Sequence, residues 1–455
     1  MSQKHNLPTA TTSFIGRENE LAQIENWLTQ ANGRLLTLIG PGGMGKTRLA
    51  QEAARQQIGQ FADGVWYVSL VAFADLAGVV TAVAEAMNLK LSGKEALADQ
   101  LRQQLQPLEA LIVLDNLEHL LSNELRDFLS QLCQTAPELR LICTSRERLR
   151  LQAEHLLELG GLPFPVIGER ITDNGLPLTD YPAVQLFTNR VQQVRADFDL
   201  GGWETAVTKL CQLVGGLPLA LELAATWTRV LAVDDIVAEI ERSLDALSTT
   251  LHDVPQRHRS LRAVIETSWQ MLPAADQALF RQLAVFRSGF TRAAAQQVAN
   301  ARLPQLMSLV DRSFLRLDGD QRFRRHPLLL QFAQEQLASH PAEKTQTEAA
   351  HAQFFAVLVA EQEWLSKVLK PRRRWPFWKP IGKISAQRGS GRWPRWTPVC
   401  WMRSSAVWGA FLPGGDGRWK ARSVLKPPSK GRKFGLKRPL PTPSSPKCRW
   451  NWATF

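Results

Sequence analysis

Acidic residues are almost missing from the last 85 positions of this 455-residue sequence, and that gap divides the chain. Residues 371–455 hold 20 lysines or arginines against one acid, Asp416. Residues 1–370 then hold 35 basic and 41 acidic residues, a net of −6, although the whole chain stands at +13. The positive charge belongs to the tail and gives the body no electrostatic steering toward nucleic acid. Also missing is any apolar run of about 18 residues, which excludes an ordinary membrane-spanning helix. Met1-Ser-Gln-Lys-His-Asn-Leu7 lacks a signal-peptide pattern. The five cysteines (133, 143, 211, 400, 448) form no CxxC pair and have no histidine at metal-ligand spacing. A soluble, cytoplasmic protein is expected, with Cys133, Cys143 and Cys211 acting as small core residues. Its length allows roughly three domains, each with its own core.

What is present begins at residues 40–47, Gly-Pro-Gly-Gly-Met-Gly-Lys-Thr. An apolar run, Arg34–Ile39, precedes this loop, and a strongly helix-forming stretch, Arg48–Arg55, follows it. Strand, glycine loop and helix in that order constitute a phosphate-binding loop. Gly40, Gly42, Gly43 and Gly45 let backbone N–H groups turn inward, and the helix N-terminus adds partial positive charge. Lys46 is placed to neutralise β- and γ-phosphates, and the Thr47 hydroxyl to hold Mg²⁺. With Met44 and Arg48, these residues make the expected ATP/ADP-binding set.

Further strands are expected at Gly64–Leu70, Ala110–Asn116 and Leu139–Ser145, with a fifth within Glu154–Leu162. Continuous apolar runs of this kind suit a parallel sheet covered on both faces. Strands alternating with helices indicate a doubly wound α/β domain over 13–170, after a flexible lead-in at 1–12. Helix then follows helix. Ala183–Arg190 and Leu210–Val230 are expected in an all-α domain over 171–250. Residues 251–340 carry helices near Leu261–Met271, Asp276–Ala284 and Leu303–Asp311. A hairpin around the Asp-Gly turn of Phe314–Phe323 completes the pattern of a winged helix. Residues 341–370 begin a further helix pair.

Asp115 ends an apolar strand about 70 residues after the loop, where a carboxylate reaches Mg²⁺; read alone, it is a strand-end cap. Fast ATPases of this class usually carry an acid next, where this chain has Asn116, and Glu118 lies two positions further on. Slow hydrolysis or simple nucleotide holding is therefore expected. Arg146 closes the fourth strand as either a γ-phosphate sensor or a surface arginine beside Arg148 and Arg150. Gly215–Leu221 starts a helix with Pro218 in its first turn. His326, taken alone, reads as a structural histidine.

Taken together, Phe14-Ile-Gly-Arg-Glu18, the phosphate loop, Leu114-Asp-Asn116, Thr144-Ser-Arg146, Gly216-Leu-Pro-Leu219 and His326 resemble the STAND class of signalling ATPases. The order is closest to the NB-ARC-like modules of large bacterial transcriptional regulators, and it covers about residues 12–366. The resemblance implies three domains closing around ADP or ATP, with Arg17 and Pro218 lining the adenine pocket and His326 touching the β-phosphate. It also implies a switch that hydrolyses ATP slowly, self-associates on binding ATP and answers to an unknown effector. Its winged helix would be a regulatory lid rather than a DNA reader. Arg325 and Pro327 flank the histidine where the family commonly has methionine and aspartate. A constitutive remodelling ATPase and a non-hydrolysing scaffold are the alternatives.

Residues 371–455 carry 9 of the 15 tryptophans and 12 of the 26 prolines. Proline at that density breaks helices, and a net charge of +19 opposes collapse. A frame-shifted tail without a stable fold is expected, the alternative being a basic aromatic arm for RNA or anionic lipid.

Overall fold

The computed structural model describes residues 4–92, 96–165, 177–249 and 259–368, together with three strands in the tail. Residues 1–370 form one compact unit and 371–455 a second.

In the first unit, β1 (Leu35–Ile39), β2 (Val65–Ser69), β3 (Leu111–Asp115), β4 (Arg140–Ser145) and β5 (Glu154–Glu158) form one sheet. The strand order is β2-β3-β4-β1-β5 and every pairing is parallel. Period-two alternation sends Leu36, Leu38, Val113 and Ile142 to one face and Leu35, Ile112, Leu114, Leu141 and Cys143 to the other. The first face packs on α1 (Glu18–Leu28) and α2 (Lys46–Gln56). The second packs on α3 (Leu76–Ala86), α4 (Leu97–Leu105) and α5 (Asn123–Thr135). Both faces are covered, which is why β1 and β3 are buried at every position. The expected parallel α/β sheet is present, fifth strand included.

Residues 4–12, expected as a flexible lead-in, run beside the sheet edge. His5 bridges Val65, and the Asn6 side chain bonds the backbone of Tyr67 at 2.6 and 2.9 Å, acting as an extra strand residue.

Beyond the sheet come α6 (Pro182–Val194), α7 (Glu204–Leu213), α8 (Pro218–Trp227) and α9 (Val233–Arg242). The helix expected over Leu210–Val230 is two helices. Gly215 and Gly216 break it with φ of 59° and 65°, and Pro218 starts the second. This turn crosses another backbone segment at very short range. The Leu162 N–H donates to Gly216 O at 2.8 Å, and a Cβ on Gly216 would lie 2.1 Å from Leu162 O.

Next are α10 (Leu261–Gln270), α11 (Ala274–Leu283), α12 (Arg292–Ala299) and α13 (Leu303–Asp311). A short hairpin, β6 (Arg316–Leu317) and β7 (Phe323–Arg324), leads into α14 (Pro327–Ala338) and α15 (Pro341–Val368). Helix α12 was not expected; it carries a Thr291 cap and an apolar face made of alanines and one valine, a weak periodic signal. Residues 341–366, expected to begin a helix pair, lie within the single 28-residue α15. One hydrophobic core runs from the first sheet face through these helices, so α6–α14 are built onto the nucleotide domain rather than beside it.

In the second unit, β8 (Cys400–Ser404), β9 (Val407–Pro413) and β10 (Trp419–Ser423) pair antiparallel in the order β10-β9-β8. The reading of 371–455 as a tail without stable fold otherwise lies outside the described residues.

Candidate nucleotide site

The site forms where the C-terminal ends of β1, β3 and β4 meet, the end of an open parallel sheet at which ligands bind. β4 lies between β1 and β3, so Thr144, Ser145 and Arg146 sit between the phosphate loop and Asp115. Gly45 caps α2 at φ 83° and Gly43 stands at φ 82°, conformations open to glycine at little cost. The Lys46 ammonium bonds Gly40 O at 2.7 Å and Pro41 O at 3.0 Å. Burial pushes its pKa down to about 8, while Glu118 and then Asp115 oppose that and Arg146 adds to it.

Asp115 is 1% exposed and accepts three hydrogen bonds. Thr47 Oγ1 donates to its Oδ1 at 2.7 Å, Thr144 Oγ1 to the same oxygen at 2.6 Å, and the Tyr67 hydroxyl to Oδ2 at 3.0 Å. The Thr47–Asp115 pair expected from sequence is therefore assembled. Tyr67 escaped the sequence reading because a tyrosine in a buried strand looks like core. Burial and the adjacent carboxylate push its phenol far above the usual value, so it remains a donor.

Arg146 points inward. Its Nε meets Glu118 Oε1 at 2.9 Å, and its guanidinium donates to Val264 O at 3.1 Å and to the Ser268 hydroxyl, both on α10. Asn116 has φ 71°, its N–H bonds Thr144 Oγ1 at 2.9 Å, and its side chain turns toward His119 at 3.1 Å.

The loop is roofed by two helices. Leu219 N–H, at the start of α8, donates to Gly43 O at 3.2 Å. A Cβ on Gly43 would lie 2.9 Å from Leu219 Cβ, and one on Gly42 would lie 2.3 Å from Val264 Cγ1. Only glycine fits beneath this roof.

Arg17 is buried at φ 74°, and its guanidinium bonds Met44 O at 3.2 Å, Gly160 O at 2.6 Å and Glu20 at 2.6 Å. It fastens the phosphate loop to the segment after β5. Together with Pro218, Phe14, Ile15, Met44 and Gly45 it lines a slot of about 40 Å³. Arg48, expected in the nucleotide set, also lines this slot and donates to Thr12 O at 2.9 Å and Ser13 O at 3.1 Å. His326 caps α14 and lines a narrow gap with Pro41, Gly42 and Arg146. Burial pushes its pKa down to about 4, so the ring is neutral at neutral pH. Arg325, where the resembled family has methionine, bonds the carbonyls of Leu283 and Phe286 and lies 5.2 Å from the Phe290 ring centre. It thereby closes the C-terminal end of α11.

A glycine loop with an enclosed lysine, a hydroxyl–carboxylate pair at the strand ends and an arginine on the intervening strand define an AAA-type P-loop nucleoside-triphosphatase domain. The AAA domain family matches residues 29–151. The "Uncharacterized protein Rv0894" of Mycobacterium tuberculosis is 30% identical over 330 residues, covering 70% of this chain and 79% of that protein. The chain belongs to the P-loop family that includes this mycobacterial protein. The "Putative HTH-type transcriptional regulator Rv0890c" of the same organism is 31% identical over 341 residues, 72% of this chain. The match spans only 36% of that regulator's length. Among solved structures, a STAND protein with a tetratricopeptide repeat sensor from Pyrococcus horikoshii aligns with 76% of this chain and 46% of its own, at 17% identity and a TM-score of 0.34. No helix among the described residues is long and apolar enough to cross a membrane.

Proposed function

We propose that this chain is an ATP/ADP-binding switch of STAND type from a transcriptional-regulator family, held closed around ADP and opened by exchange for ATP. The observation that carries this reading is the roof itself. Residues from two different helices, Leu219 of α8 and Val264 of α10, lie directly on the phosphate loop. Any ligand that enlarges or recharges that cradle acts at once on both helices. A change of state needs a differential affinity of a few kcal/mol between closed and open forms.

The residues present fit a nucleotide with Mg²⁺. Backbone N–H groups of the loop and Lys46 would hold the phosphates, while Thr47 and Asp115 would hold the metal, which supplies charge neutralisation when bound. Pro218 and the Arg17-fastened wall would flank the base, and neutral His326 would donate to the β-phosphate. In this reading 13–170 is the nucleotide domain, 171–250 a helical domain and 251–340 a winged-helix lid, with 341–370 opening a sensor array. Residues 371–455 are a non-native, frame-shifted tail. Hydrolysis is slow, ATP binding promotes self-association in the cytoplasm, an unidentified effector triggers exchange, and DNA is not contacted by this chain.

The test is nucleotide-dependent assembly, followed by sedimentation velocity. ADP-loaded protein is expected as a monomer, and protein exchanged into Mg·ATP or a non-hydrolysable analogue as a larger species. One unchanged species under both conditions contradicts the switch.

A further inference from the structure

Asn116 stands where fast ATPases of this class keep their water-activating acid, yet a different carboxylate, Glu118, is paired with the arginine that lines a gap with the phosphate loop. Glu118 is 8% exposed. Its Oε1 pairs with Arg146 Nε at 2.9 Å, and its Oε2 is enclosed with no hydrogen-bond partner among the described residues. An unpaired buried carboxylate oxygen costs stability, on the order of 1–3 kcal/mol or more for a charged group. Such a group is expected only where something else, usually function, retains it.

Three more observations place it at the reacting end of the site. Glu118 pairs with Arg146, whose side chain lines one narrow gap with Pro41 and Gly42 of the loop, and its charge favours the protonated Lys46. It lines a cavity of about 10 Å³ with Arg146, Ser268 and Arg312, a space on the scale of one water molecule. The left-handed turn at Asn116 sends the Asn116 amide away to His119, and the chain returns with Glu118 facing inward.

We infer that Glu118 is the general base for ATP hydrolysis, held in reserve by Arg146. The inference rests on the nucleotide reading above. In the step, a water oxygen forms a bond to the γ-phosphorus while Glu118 Oε2 takes the water's proton. The bond from phosphorus to the β–γ bridging oxygen breaks, leaving ADP and inorganic phosphate, and the proton passes from Glu118 to solvent. Arg146 is a positioning residue for this carboxylate, and its anchors on α10 tie the base to the lid. Drawing Arg146 toward a γ-phosphate would release Oε1 and take the counter-ion from this carboxylate, which accounts for slow turnover while Arg146 stays paired with it.

The experiment compares the full chain with E118Q in two measurements, phosphate release under saturating Mg·ATP and binding of a fluorescent ADP analogue. E118Q is expected to lose about 100-fold or more of turnover, with affinity for the ADP analogue within about threefold of wild type. Turnover of E118Q within threefold of wild type overturns the inference, as does wild-type protein that binds the analogue but releases no phosphate. Should E118Q also lose binding, E118D decides. A tenfold or greater fall in rate with binding intact supports the base, and an unchanged rate overturns it. Wild-type protein that does not bind the analogue contradicts the nucleotide reading itself.

Discussion

Arg146, at the end of β4, donates to the Ser268 hydroxyl on α10, joining residues 122 positions apart across the roof of the phosphate loop. The same guanidinium bonds Val264 O and pairs with Glu118, so a side chain expected to report the γ-phosphate is bound to α10. Removing one anchor should loosen the closed state without touching the phosphates. Ser268→Ala is expected to raise basal phosphate release several-fold and to speed ADP dissociation, measured by chasing a fluorescent ADP analogue. Dissociation no faster than wild type would count against the latch.

Lys46→Ala removes the charge that the loop carbonyls of Gly40 and Pro41 now hold. A charge-assisted bond of about 1.5–3 kcal/mol corresponds to a loss of roughly 10- to 150-fold in ADP affinity. Calorimetry on wild type and variant, with circular dichroism to show the fold retained, checks this. Equal affinities would mean the loop is not the phosphate site.

Asp115→Ala acts differently. It orphans the Thr47, Thr144 and Tyr67 hydroxyls and removes the carboxylate proposed to hold the metal. The Mg²⁺ enhancement of ATP binding should largely disappear, with ADP affinity reduced less. A titration of ATP binding against Mg²⁺ measures the difference, and an unchanged Mg²⁺ dependence contradicts the assignment.

Much of this was legible in the sequence because the signals are local. The phosphate loop needs glycines within eight positions, and buried parallel strands leave continuous apolar runs such as Leu111–Asp115. The long-range contacts were not legible. Nothing in a one-dimensional pattern tells a core tyrosine from Tyr67 bonded to Asp115, or a solvated arginine from Arg146 seated on α10. Helix α12 escaped because its buried face is mainly alanine. The bonds from Arg48 to Thr12 and Ser13 were likewise not legible, since they join the loop's helix to a segment 35–36 residues earlier.

The close crossing at Gly216 supplies a stability test. Its φ of 65° and the 2.1 Å approach of a Cβ to Leu162 O leave no room for a methyl group. Gly216→Ala is expected to cost about 2–3 kcal/mol from overpacking and left-handed strain. Denaturant unfolding reads this, and a loss below about 0.5 kcal/mol would show that the crossing can relax.

Burial lowers Lys46 to about 8, so in the nucleotide-free protein its ammonium deprotonates as pH rises through that value. Phosphate binding needs the charged form and must recover the proton. ADP affinity should be nearly constant from about pH 7 to 8 and then weaken by up to tenfold per pH unit, with net proton uptake on binding. Calorimetry in buffers of different ionisation enthalpy gives the proton count. Proton release above pH 8, or constant affinity to about pH 9.5, would contradict it.

The central claim is a switch that rests with ADP enclosed, and the most direct measurement is the nucleotide carried by the purified chain. After gel filtration, denaturation and chromatography, about one ADP per chain is predicted, absent from Lys46→Ala, with wild-type turnover slower than about once per minute against the roughly 10 s⁻¹ typical of enzymes. Protein that emerges free of nucleotide and turns over ATP briskly without a trigger would contradict the account.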